Sequence, residues 1–101
     1  MAGMSRRRVE LINEFGLHLR AASLFVRVSH QFQAKVSVSC NGILADGRSI
    51  LDLMLLGAAP GATLELEASG PDAEEAVAAL STLIEEGFHE DQDGKGESWT
   101  G

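Results

Sequence analysis

Lys35-Val36-Ser37-Val38-Ser39-Cys40-Asn41-Gly42-Ile43-Leu44-Ala45 sets the architecture of this chain. Val36 and Val38 alternate with Ser37 and Ser39, the two-residue period of a strand with one face buried and one in water. Asn41-Gly42 follows at once. Both residues tolerate positive φ, which a two-residue hairpin turn demands, so Ile43–Ala45 returns antiparallel to Lys35–Cys40. Thr63–Ser69 repeats the alternation, with Leu64 and Leu66 set against Glu65 and Glu67. Arg8–Ile12 reads as a further strand. Four short strands with clean in/out alternation predict one antiparallel sheet covered on a single face.

Three helical stretches supply that cover. In Leu19–Phe32, Ala22, Phe25, Val26, Ser29 and Phe32 recur at helical spacing and can face a core, with Ala21, Leu24 and Val28 beside them. Ser49–Leu56 is a short helix with Ser49 as its N-cap and Asp52 three residues on. Gly70-Pro71-Asp72 opens the last helix, whose apolar face is Ala76, Val77, Leu80, Leu83 and Ile84, and Gly87 stands where a C-terminal glycine cap belongs. The predicted order is β-α-β-β-α-β-α, an α+β fold. Residues 1–88 form one domain. Residues 89–101, rich in Gly, Asp and Glu, are expected to be a disordered acidic tail, with Trp99 incidental.

The 101 residues leave room for one modest core. No apolar run is long enough for a membrane span, and the basic start has no apolar stretch after it to make a secretory signal. Cys40 is alone, which excludes an internal disulfide and fits a reducing cytoplasm. The scattered histidines and single cysteine make no metal site, and no cofactor is implied. The net charge of −7 divides unevenly: +4 over residues 1–50 and −11 over residues 51–101. An acidic domain is a poor nucleic-acid ligand. Positive charge near residue 18 favours an acidic protein partner instead.

The chemistry concentrates in Gly16-Leu17-His18-Leu19-Arg20-Ala21-Ala22. An imidazole sits on a glycine-hinged bend at the start of a helix, and a guanidinium follows two residues later. Helix N-termini present unpaired N–H groups and partial positive charge to anions. A neutral imidazole is a nucleophile, and the helix dipole opposes its protonated form. Such a side chain can accept a phosphoryl group and hand it on.

These residues, together with Gly47-Arg48-Ser49-Ile50-Leu51 and the order of elements, resemble the HPr family, the histidine phosphocarriers of the bacterial phosphoenolpyruvate-dependent phosphotransferase system. The resemblance spans roughly Arg6 to Glu86. Asn13-Glu14-Phe15-Gly16-Leu17-His18 and Gly87-Phe88-His89-Glu90 are closer to its nitrogen-related branch, NPr. It implies an open-faced β-sandwich with three helices on one face. It implies that His18 takes a phosphoryl group on Nδ1 from phosphorylated Enzyme I and passes it to EIIA-type domains, turned over by these partners rather than acting as an enzyme itself. Arg20 would steady the phosphate, and backbone N–H groups around Ala21 and Ala22 would add donors. Leu17, Leu24, Arg27, Ile50, Leu51 and Met54 would dock partners. Ser49 would be both helix cap and target of an HPr kinase/phosphorylase. A monomer is expected. Two positions depart from the family pattern. Leu19 replaces a small residue, and Ala21 replaces a proline that would pre-set the first helical turn. The result is a looser but working active turn. Two other readings stand beside the carrier: a regulatory module of the same fold acting through protein contacts and Ser49, and an α+β domain with no phosphoryl chemistry. The second leaves the joint presence of His18, Arg20 and the Ser49 segment unexplained.

Overall fold

The computed structural model describes residues 3–89. Strands β1 (Gly3–Glu10), β2 (Lys35–Cys40), β3 (Ile43–Asp46) and β4 (Thr63–Gly70) form one sheet in the order β1-β4-β2-β3, every pairing antiparallel. Helices α1 (Leu19–Ser29), α2 (Ile50–Leu55) and α3 (Ala73–Glu85) complete the predicted β-α-β-β-α-β-α order. The core lies between helices and sheet. Leu64, Leu66 and Ala68 of β4 and Val36 and Val38 of β2 form its floor, with Phe25, Leu53, Leu80 and Ile84 buried above them. The other sheet face is open. Arg6 and Arg8 on β1 stand opposite Glu67 and Glu65 on β4 and pair with them at 3.5 and 3.3 Å. Such exposed pairs fix strand register more than they add stability.

Element ends differ from expectation by two residues or more in three places. Strand β1 begins at Gly3, not Arg8, because Met4–Arg8 is an edge strand of mostly polar residues that nonetheless pairs fully with β4. It ends at Glu10, where Leu11 leaves the ladder for loop bonds: its N–H donates to Ala62 O (2.8 Å), and its carbonyl accepts from Gly61 N–H (2.7 Å). Helix α1 ends at Ser29, capped by His30, and Gln31 and Phe32 continue only as turns. Phe32 is apolar at helical spacing, which extended the predicted helix; the side chain packs on the core from the turn instead.

The hairpin has positive φ at Asn41 (52°) and Gly42 (83°), as the turn requires. Ser49 caps α2 by accepting the Asp52 N–H at 3.1 Å. The reciprocal half of a capping box is absent, since the Asp52 carboxylate accepts from Asp46 N–H (3.1 Å) and so ties α2 back to β3. Asp72 precedes α3 yet makes no cap bond. Its carboxylate clasps the backbone entering β2, accepting from Gln33 N–H (2.9 Å) and Ala34 N–H (2.8 Å). After α3, Gly87, Phe88 and His89 all take positive φ, and Phe88 is fully buried. The expected tail falls on residues 90–101, outside the described residues; His89 closes the last turn, 3.3 Å from Glu86.

Candidate functional site

The site is built on a turn that is pinned from behind. Asn13, itself buried, donates from Nδ2 to Gly16 O at 2.6 Å, and Gly16 N–H returns to Asn13 O at 3.2 Å. Gly16 has φ +68°, and a Cβ there would meet Ala58 O at 2.4 Å, so only glycine lets the turn lie this close to the α2–β4 loop. Leu17 N–H donates to the same Ala58 carbonyl (3.1 Å), and its side chain enters the core. With Gly16 and Leu17 fixed, His18 emerges at the mouth of α1.

His18 is the N-cap of α1, half-buried, with extended backbone. Its Nδ1 accepts the Arg20 N–H at 3.2 Å. An Nδ1 that accepts this N–H turns its lone pair toward the head of α1. The first turn of α1 contains no acidic residue. The Phe15 ring meets the imidazole edge-to-face, with centroids 6.0 Å apart and planes at 89°. Arg20 and Arg27 are exposed on α1, and α2 packs against that helix.

Several expected roles change. Leu17 is only 5% exposed and is a core residue, not a docking one: its neighbour Leu19 takes the outward position, 58% exposed. Ala22 N–H is committed to the helix's own first bond, to His18 O at 2.8 Å, and is no donor to a phosphate. The first-turn N–H groups of Leu19, Arg20 and Ala21 precede that ladder. Leu24 and Ile50 are half-buried against the core. Leu51 and Met54 are exposed as expected, and Leu55 joins them. Ser49 is half-buried and occupied as a cap. Sequence reasoning missed Phe15, which is 69% exposed yet touches His18; an aromatic three residues before a histidine across a glycine was the available signal. A groove of about 690 Å³ lies elsewhere, lined by Met4, Lys35, Leu44, Asp46, Arg48 and Glu67 among others, and includes no residue of the His18 turn.

The model of the family described as "PTS HPr component phosphorylation site" matches residues 5–86. A phosphocarrier protein HPr of Neisseria meningitidis is 42% identical over 87 residues, covering 86% of this chain and 98% of that protein. A phosphocarrier protein NPr of Escherichia coli is 37% identical over 87 residues, covering 85% and 97%. Among solved structures, HPr of Thermoanaerobacter tengcongensis aligns with a TM-score of 0.80 at 37% identity, over 83% of this chain and 94% of that one. HPr of Bacillus anthracis aligns with a TM-score of 0.78 at 32% identity, over 81% and 98%.

Proposed function

The chain belongs to the HPr family of phosphotransferase-system phosphocarriers, and on that premise we propose that His18 carries the phosphoryl group, on Nδ1. The observation that carries this reading is the 3.2 Å hydrogen bond from Arg20 N–H to Nδ1 at the head of α1. It keeps the lone pair on Nδ1 and aims it at the end of the helix where anions are favoured. As Nδ1 bonds to phosphorus, the bond from phosphorus to the donor breaks and its electron pair returns to the donor. The proton on Nε2 stays in place. The Arg20 N–H then passes from the nitrogen to a phosphate oxygen, and the Arg20 guanidinium adds charge-assisted donors. Onward transfer reverses these steps.

The donor is phosphorylated Enzyme I and the acceptor an EIIA-type domain, both acting in the cytoplasm. Exposed Leu19, Leu51 and Met54 supply apolar contact to them, with Arg27 supplying charge. Turnover belongs to these partners. Ser49 is assigned the cap: a phosphate on it would stand beside Asp52, whose N–H it already binds. Incubation with Enzyme I and phosphoenolpyruvate should add one acid-labile phosphate by mass. His18→Ala should abolish it, and Arg20→Ala should slow its formation. Undiminished acid-labile phosphate in His18→Ala would overturn the assignment.

A further inference from the structure

We infer that Phe15 is a positioning residue for the His18 imidazole, its ring setting the plane from which Nδ1 receives and releases the phosphoryl group. This deepens, and rests on, the reading of His18 as the carrier. Phe15 is a large aromatic left mostly in water, at 69% exposure. Burial therefore does not explain it. The backbone around it does not wander: Gly16 is seated against Ala58 O and Leu17 is anchored in the core, so residues 15 and 18 leave a rigid dipeptide on fixed vectors. Those vectors bring the two rings together at 6.0 Å and 89°, the edge-to-face arrangement aromatic rings prefer.

The imidazole is held by the Arg20 N–H on Nδ1 and also meets the Phe15 ring. The hydrogen bond is surrendered when Nδ1 bonds to phosphorus. The ring contact is not, because it engages the ring and not the nitrogen's lone pair. Phe15 therefore keeps the imidazole plane the same before and after transfer, which makes the forward and return steps geometrically alike. Proximity and alignment of this kind lower a barrier without any new chemical group.

The test uses phosphoramidate, a donor too small to need a docking surface, beside Enzyme I with phosphoenolpyruvate. Phe15→Ala should slow acid-labile phosphorylation of His18 by both donors about twofold to tenfold, the range expected for one aromatic contact. Phe15→Tyr and Phe15→Trp should keep the wild-type rate. In ¹⁵N-labelled protein the His18 ring protons should lose their aromatic ring-current shift in Phe15→Ala. Because the side chain is exposed, the thermal midpoint should stay near wild type. Unchanged His18 ring signals in Phe15→Ala would overturn the proposal. So would a slowing seen with Enzyme I and not with phosphoramidate, since that marks a partner contact. Wild-type protein that takes no acid-labile phosphate from either donor overturns the carrier reading instead, while the ring-proton shifts still test the contact itself.

Discussion

Two glycines with similar φ separate conformational cost from steric cost. Gly42 (φ +83°) has nothing within 4 Å of where a Cβ would stand, whereas at Gly16 (φ +68°) that Cβ would lie 2.4 Å from Ala58 O. Gly42→Ala should therefore lose about 1 kcal/mol, the cost of a left-handed L-residue alone. Gly16→Ala adds a backbone clash and should lose more, roughly 2–3 kcal/mol. Urea unfolding of both variants measures the difference, and equal losses would mean the turn relaxes away from Ala58. Only Gly16→Ala should also slow phosphorylation of His18, because it moves the residues that aim the ring. At this scale the site was partly legible in the chain. His18 and Arg20 stood out by residue type and by their place before a helix. The exchange between Leu17 and Leu19 did not, since two leucines flanking one histidine look alike until Gly16 takes a positive φ and turns one inward. The Phe15–His18 contact depends on the same torsion.

Elements declared themselves where periodicity was strong and hid where hydrogen bonding alone made them. Strands β2 and β4 were readable from Val and Leu alternation. The first half of β1 was not, because an edge strand with Arg6 and Arg8 facing water shows little apolar period. Caps were readable by residue type, but only the structure separates Ser49, which caps α2, from Asp72, which does not cap α3. Ser49→Ala removes the acceptor for Asp52 N–H and should destabilise the protein by about 1 kcal/mol. Acid-labile phosphorylation of His18 in that variant should be unchanged. Asp72 holds two elements together through charge. The Gln33 N–H, joined by the Ala34 N–H, favours its ionised form and lowers its carboxyl below the usual 3.8. A carboxyl depressed in the folded state stabilises at pH above its unfolded value and loses that contribution as pH falls through the folded one. Asp72→Asn should therefore be less stable than wild type at pH 7. The gap should close as pH drops below 3.8, as read from urea midpoints across pH. A gap that persists unchanged below pH 3.8 would show that shape, not charge, makes the clasp.

The whole molecule is closed by a residue in an unfavourable backbone conformation. A chain of this size buries little more than the surface needed to stay folded, so a single large side chain weighs heavily in its stability. Phe88 is fully buried, yet it takes φ +55°, a left-handed conformation that costs a bulky side chain about 1–3 kcal/mol. The cost is sustained because the turn Gly87–His89 delivers the ring into the core beyond α3, where α3 has ended and β1 has left its ladder. Gly87 packs there beside Ile12 and Asn13, so the last turn of the described chain backs the first turn of the site. Sequence periodicity could not assign Phe88 to the core, since it lies after the glycine that ends the helix. Phe88→Ala should cost about 3–5 kcal/mol and Phe88→Leu clearly less, because leucine refills most of the space. Against a total of about 5–15 kcal/mol for a small domain, the alanine variant should unfold at markedly lower urea and temperature. Where it remains folded, its His18 should still accept phosphate at the wild-type rate, since Asn13 and Gly16 hold each other directly. A slower rate in fully folded Phe88→Ala would mean that the C-terminal turn, and not only the Asn13–Gly16 bonds, sets the geometry of the active turn.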